Sequence, residues 1–299
     1  MSSKKNILKF KIEDIKSFKA IIETLVKIVT EITWVIYSPK DDKFKGIEMS
    51  VSDPSRSVFI KIQIEDNKLP NFYCRDEKYQ LGIDLEQMNQ IMKFIENEDK
   101  MNMSLNEDDL LNLVIEIDRA NIKGKKIKKF PLIEIPYEEK PIKKVDYEKI
   151  ISTTPNVYKK IFRELADFEN VNIKCSNKKI ILSYSNHTGL KSEDEYFLDE
   201  DGINLDNFSS EKEFVGTFPI KYLVSFVKCA GLCEDINFYF KTEYSLTVKF
   251  PILTFGTITI AISPINEECI KNVEYDYSED EDNIVVIGNN TAKLYYDDS

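Results

Sequence analysis

Phe72–Met103 reads FYCRDEKYQLGIDLEQMNQIMKFIENEDKMNM. Its first third is strand-like, and its middle sets Leu85, Met88, Ile91, Met92 and Ile95 at three- and four-residue spacing. That spacing gathers the five side chains on one buried stripe of a helix over about Leu85 to Ile95. An alternating strand, MNMSL, follows. The same grammar returns over Phe214–Phe250, FVGTFPIKYLVSFVKCAGLCEDINFYFKTEYSLTVKF. There a helix over about Pro219 to Ala230 turns Ile220, Tyr222, Leu223, Phe226 and Val227 inward, and Lys221 and Lys228 outward. A half-domain module that recurs with cations on its helices points to a ring around a polyanion more than to chemistry inside a pocket.

Working outward, a first helix is expected from about Asp14 to Ile32. Ile15, Phe18, Ile22, Leu25, Val29 and Ile32 form its buried stripe, with Lys16, Lys19, Glu23 and Lys27 opposite. Strand-like runs follow at Thr33–Tyr37, Gly46–Val51, Ser57–Ile64 and Asn71–Cys74. After the second helix come MNMSL and LNLVIEI, separated by a turn at Asn106–Asp109. Between Lys123 and Lys144 the texture changes to KGKKIKKFPLIEIPYEEKPIKK, and Pro131, Pro136 and Pro141 favour an extended surface connector. A third helix, about Pro155 to Phe168, turns Tyr158, Ile161, Phe162, Leu165 and Phe168 inward and Lys159, Lys160 and Arg163 outward. The chain therefore divides into residues 1–126, a connector 127–144, a similar second domain 145–268, and an extension 269–299.

Composition limits the classes of function. The 299 residues are 42% hydrophobic and 31% charged, as in a globular chain with a substantial core. No apolar run approaches the roughly 20 residues of a membrane span, and the N-terminus lacks a signal peptide's apolar region. Neither a membrane nor export is indicated. Five scattered cysteines (Cys74, Cys175, Cys229, Cys233, Cys269) fit an intracellular, reduced chain. The net charge of −11 is uneven: residues 271–299 hold eight acids against Lys271 and Lys293, a net of −6, which leaves −5 for the rest. Contact with a polyanion depends on one face, so the global sign does not exclude DNA. Catalysis finds no support. His187 stands alone in SNHTG, Cys229 and Cys233 are packing residues of a helix, and nine glycines form no phosphate loop. No catalytic residue, metal or cofactor is expected.

Several segments, in order, resemble the eukaryotic-type sliding clamp, proliferating cell nuclear antigen. The Trp34 strand leads into GIEMSVSDPSRS, with Asp53 in the family's short turn. FYCRDEKYQLGIDLEQMNQIMK resembles its strand–helix block, and Asn97-Glu98-Asp99 the turn after it. PIKYLVSFVKCAGLCEDI resembles its last helix, and GTITIAISPINEE its C-terminal strand. The resemblance spans about residues 7–268. It implies an α+β DNA-clamp fold of two similar domains, each with two helices on antiparallel sheets. It also implies a head-to-tail homotrimeric ring that encircles double-stranded DNA without reading sequence. Such a ring tethers DNA polymerase and other proteins, is opened by a clamp loader, and has no enzymatic activity. It works in a nucleus, or at a cytoplasmic replication site if viral.

The outward cations Lys16, Lys19, Lys27, Lys93, Lys159, Lys160, Arg163, Lys221 and Lys228 are the candidate DNA contacts. Any one alone is an ordinary solvated lysine or arginine; four helices sharing the bias carry the reading. The family places Lys19, Lys93, Lys160, Arg163, Lys221 and Lys228 at or near its channel-facing positions, while Glu86 and Gln90 depart from it. The resemblance also implies a partner-peptide pocket beside the connector. Its residues here would be Arg56, Phe59, Pro141, Ile142, Tyr147, Ile262, Pro264 and Ile265, with Ala261 where an aromatic is often found and Glu138–Lys140 in place of an apolar stretch. For assembly, the basic run holding Lys126, Ile127 and Lys128 would pair with the acidic run holding Glu193, Glu195 and Tyr196 in the next subunit. A specialised subunit of a heterotrimeric ring and a scaffold that does not encircle DNA remain as alternatives. The extension reads as acidic and disordered through YDYSEDEDN, with a hairpin around Gly288-Asn289-Asn290; its role stays open between shielding the channel, binding a loader and none.

Overall fold

The structure, a computed structural model, describes residues 6–38, 44–136, 145–186 and 189–265. The first half runs β1 (Asn6–Ile12), α1 (Ile15–Leu25), β2 (Glu31–Tyr37), β3 (Gly46–Ser52), β4 (Val58–Glu65) and β5 (Tyr73–Cys74). It continues with β6 (Lys78–Asp84), α2 (Leu85–Met92), β7 (Lys100–Asn106), β8 (Asp109–Asp118) and β9 (Lys125–Pro131). The second half begins with β10 (Lys149–Thr153), α3 (Pro155–Glu164), β11 (Asn170–Cys175), β12 (Lys179–Ser185), β13 (Lys191–Phe197) and β14 (Ile203–Phe208). It ends with β15 (Phe214–Pro219), α4 (Ile220–Ser225), α5 (Val227–Ala230), β16 (Ile236–Phe240), β17 (Leu246–Ile252) and β18 (Gly256–Ile262).

The halves are repeats. β1 pairs with β5 and β7, as β10 pairs with β14 and β16; β2–β3–β4 and β11–β12–β13 correspond likewise, as do β7–β8–β9 and β16–β17–β18. The strands form three antiparallel sheets in the orders β5-β1-β7-β8-β9, β14-β10-β16-β17-β18-β4-β3-β2-β6 and β13-β12-β11-β15. The nine-stranded sheet joins the halves through β18 and β4, where Ile258, Ile260 and Ile262 stand opposite Ile62, Ile60 and Val58. All six are fully or almost fully buried under the helices. β9 and β13, the repeats of β18 and β4, are instead left at open sheet edges.

Side-chain caps fix three helix starts. Asp14 accepts from Ser17 N at 3.0 Å, Asp84 from Gln87 N at 2.9 Å and Thr154 from Val157 N. Such a cap contributes about 1 kcal/mol. Beneath α1, Phe18 meets Trp34 edge-on at 5.9 Å.

Five boundaries differ from the sequence reading. α1 ends at Leu25 in a turn over residues 26–28, and Ile32 belongs to β2, where Ile32, Thr33, Val35 and Ile36 suit the extended chain. α2 ends at Met92 and α3 at Glu164, each followed by a turn. The last helix is split at Phe226 (φ −86°, ψ 2°) into α4 and α5. β9 runs to Pro131, so its last five residues lie where the connector was expected to begin.

The connector then crosses β6. Ile133 N donates to Gly82 O at 3.1 Å, and a Cβ on Gly82 would stand 2.0 Å from the Ile133 carbonyl oxygen. Only glycine permits that approach.

Candidate functional site

The cationic helices meet where the halves join, because α1 lies against α5. The Cys229 thiol packs against the Thr24 hydroxyl at 3.4 Å and the Ala20 carbonyl at 3.8 Å. Burial pushes that thiol up to about 11, so it is a packing group and not a nucleophile. Around this junction Lys16 and Lys19 from α1, Lys159 from α3 and Lys228 from α5 line one depression of about 510 Å³ with Asn97, Gly231 and Leu232. Gly231 makes room for Lys159, whose ammonium would lie only 2.5 Å from a Cβ there. Lys19 and Lys93 share a neighbouring depression of about 470 Å³ with Phe94 and the Ile95–Glu98 turn. Lys27, in the turn after α1, and Lys160, Arg163 and Lys221 are exposed but line neither depression.

Three of these cations are engaged within the chain. Lys228 forms an ion pair with Glu23 of α1, and the Lys19 ammonium donates to Ile95 O at 3.4 Å. Lys221 stands over the Tyr222 ring at 4.6 Å. The depressions therefore offer several donors on a concave face and no base-reading ridge, an arrangement suited to phosphate oxygens rather than base edges.

The second candidate lies on the face of the central sheet away from the helices. Tyr239, Thr247, Ala261, Phe59 and Ser52 stand in one cross-strand row over β16, β17, β18, β4 and β3. The Tyr147 hydroxyl reaches Thr247 at 3.1 Å and its ring lies 5.1 Å from Tyr239; burial raises its pKa. Arg56 sits exposed at φ 55° in the β3–β4 turn. Ser263 N donates to Ser57 O, and Ile265 N to Thr217 O, which holds Pro264 and the 39%-exposed Ile265 beside that turn. Ile262 is not on this face. One residue from Ala261 in a strand of period two, it is fully buried among the helix-side apolar residues. Pro141, Ile142 and Glu138–Lys140 lie outside the described residues, as do His187 and residues 266–299 with the extension 269–299.

The third candidate is the pair of open edges. On β9, Ile127 is 63% exposed, Lys125 is paired with Glu116 and Asp118, and Lys129 with Asp109. On β13, Glu195 binds Lys179 at 2.5 Å, Asp194 accepts from the Tyr184 hydroxyl at 2.9 Å and Glu193 from Ser183 at 3.1 Å. Each run thus already has partners within its own sheet. The sequence reading placed Glu23 on the outward face without its pairing to Lys228, and did not single out Gly82 or Phe94. Phe94 is 70% exposed, and the Lys126 ammonium lies 5.8 Å from its ring centre. An apolar residue one step beyond a helix's buried stripe was the available signal.

Models of the proliferating cell nuclear antigen N-terminal domain and C-terminal domain match residues 7–139 and 141–265. The chain belongs to the proliferating cell nuclear antigen family. A relative from Nitrosopumilus maritimus, named a DNA polymerase sliding clamp, is 25% identical over 82% of this chain and 93% of its own. One from Saccharolobus solfataricus, DNA polymerase sliding clamp 2, is 24% identical over 86% and 99%. A probable DNA polymerase sliding clamp 1 of Paramecium bursaria Chlorella virus 1 is 23% identical over 74% and 84%. The crystal structure of the proliferating cellular nuclear antigen of Entamoeba histolytica superposes with a TM-score of 0.74 at 16% identity, over 87% of this chain and 99% of that one. The family models end where the described residues end, at Ile265, so the acidic extension lies beyond them.

Proposed function

We propose that this chain is a DNA sliding clamp: a ring that encircles duplex DNA and tethers a polymerase and other replication or repair proteins to it, with no enzymatic activity of its own. One observation carries the reading beyond family membership. β18 and β4 join the two repeats, and their equivalents β9 and β13 are open edges. Adding β9 of one copy to β13 of the next repeats the internal junction, and three copies supply the six repeats of a closed ring.

The internal junction also gives a register. With Asp84 set against Pro219 at the helix starts and the strand pairing followed from there, Lys126 corresponds to Ile258 and Asp194 to Ile62, so the Ile258–Ile62 pairing implies Lys126 opposite Asp194. The same register sets Lys125 opposite Glu195, Ile127 opposite Glu193 and Lys128 opposite Ser192, with Tyr196 at the end of the seam. Opposite charges then face each other across the seam where the internal junction is apolar.

The nine cations are assigned to phosphate contacts, weak and sequence-independent as sliding requires. The row from Tyr147 to Phe59, rimmed by Arg56, Pro264 and Ile265, is assigned to partner peptides, with Pro141 and Ile142 from the connector. A clamp loader, a polymerase and a nuclear or cytoplasmic replication site complete the reading. Light scattering tests assembly: a species near three times 34.8 kDa is expected. Retention on circular duplex that is lost when the DNA is linearised tests encirclement. A chain that leaves circular and linear DNA equally fast defeats the proposal.

A further inference from the structure

We propose that an apolar socket in the second half of one copy receives Ile122 from the β8–β9 turn of the next. The inference rests on the head-to-tail reading above and names the contact that seats its seam. The socket is a cavity of about 30 Å³ between α3 and the strands β10, β13 and β14, with Thr153, Tyr158, Ile161, Phe162, Tyr196 and Ile203 among its walls. Tyr196 stands on the open-edge strand β13. The Tyr158 hydroxyl donates to Leu223 O at 2.8 Å and the Thr153 hydroxyl to Gly202 O at 2.9 Å, so both donors are already in use. One water needs about 10–15 Å³ and two to four polar partners; this cavity has the room without the partners, and suits methyl-sized groups.

The first half shows what such a socket holds. Phe255, in the β17–β18 turn, crosses the internal junction to lie 6.1 Å from Phe18 and is only 3% exposed. Counted from the caps Asp14 and Thr154, Phe18 corresponds to Tyr158 and Ile22 to Phe162. Strand pairing sets Ile12 against Thr153 and Ile64 against Tyr196. Joining β9 to β13 brings the β8–β9 turn to the socket as the β17–β18 turn comes to Phe18. Both turns enter their strand through a glycine of one conformation, Gly124 at φ 154° and Gly256 at φ 159°. The register above sets Gly124 opposite Tyr196, as Gly256 lies beside Ile64.

The β8–β9 turn is one residue longer, with six residues between the paired Asp118 and Lys125 against five between Pro251 and Thr257. Counted from β8 against β17, Phe255 corresponds to Ile122, which is 56% exposed. Counted back from β9 it corresponds to Lys123, whose ammonium an apolar socket refuses. The turn is braced in the single chain, since Asp99 accepts from Ala120 N at 3.0 Å and Asn121 donates to Glu96 at 3.4 Å. Tyr158 and Phe162 are larger than Phe18 and Ile22, so the second socket is the narrower and takes a branched aliphatic tip in place of a ring. One contact then removes both the exposed Ile122 and the socket wall from water. The charged runs of β9 and β13 already pair within their own sheets, so this anchor outweighs them in holding the seam.

The test is a light-scattering dilution series on the full chain. Ile122→Ser is expected to raise the midpoint of dissociation by about 10-fold or more, and Ile122→Val by less. Ile122→Phe overfills the narrow socket and weakens the trimer. Adding Phe162→Ile, which restores the smaller residue of the first half, is expected to recover most of that loss. Ile122 is exposed in the single chain, so a dilute, unassembled Ile122→Ser sample should melt with the parent. A midpoint that ignores Ile122→Ser, a double exchange no tighter than Ile122→Phe alone, or an unassembled Ile122→Ser chain that melts below the parent overturns the socket and leaves the ring standing. A parent that stays monomeric at every concentration overturns the head-to-tail reading beneath it.

Discussion

The Tyr222 hydroxyl donates to the Asp53 carboxylate at 2.6 Å, tying the β3–β4 turn of the first half to α4 of the second. Asp53 is buried, and burial pushes its carboxyl up. Hydrogen bonds from Ser55, Tyr222 and the backbone of Val58 and Ser57 outweigh that and hold it below the ordinary carboxylate range. This one contact links the turn that carries Arg56 to a helix of the cationic face.

Tyr222→Phe removes a donor to a buried carboxylate and is expected to cost about 1–3 kcal/mol at neutral pH. The folded carboxyl is depressed, so its contribution is complete above the unfolded value near pH 4 and is lost as pH falls through the folded one. The gap between parent and variant should therefore narrow on acidification. Denaturant titrations at pH 7 and below pH 4 read this; a gap that widens in acid is the contrary result.

Gly82→Ala sets a Cβ against the Ile133 carbonyl oxygen at 2.0 Å, so the connector must leave β6. A loss of about 1–3 kcal/mol is expected. Hydrogen exchange should show the Ile133 amide, which donates to Gly82, losing its protection while the amides of β4 keep theirs.

Glu23→Gln frees Lys228. The pair is half in solvent, so stability should change by less than about 1 kcal/mol. Duplex binding should tighten, and the plot of log affinity against log salt should steepen by about 0.9 for one more phosphate contact. An unchanged slope would place Lys228 out of reach of the DNA.

Lys126→Asp and Asp194→Lys each set like charges opposite one another in the register taken from β18 and β4. Each is expected to weaken the trimer by about 10-fold or more at low salt, and the double exchange to recover most of the loss. Molar mass against concentration reads it. Recovery absent from the double exchange would mean a different register.

Much of the fold was legible because burial writes itself into periodicity. Leu85, Met88, Ile91 and Met92 mark a helix, and the alternation of LNLVIEI marks a strand. Helix ends were less legible. Val29 and Ile32 continue the helical period beyond Leu25, but they are buried by the turn and by β2, which the same spacing also satisfies. Ile262 was assigned to the outer pocket although strand parity puts it opposite Ala261; neighbourhood in sequence is not a shared face. The outward lysines were readable singly, whereas the Glu23–Lys228 pair, 205 residues apart, needed the fold.

The strand that closes the two halves leaves the ribosome long after the strand it pairs with. β4 is complete at Glu65, and β18 begins at Gly256. At about 5–20 residues per second, the β4 edge, VFIKIQIE, waits on the order of 10–40 s for its partner. That edge is apolar, carries one lysine and no proline, and is an open template throughout that interval. Neighbouring nascent chains on one messenger each offer the same edge, so crowding of ribosomes and the supply of holdase chaperones become determinants of yield.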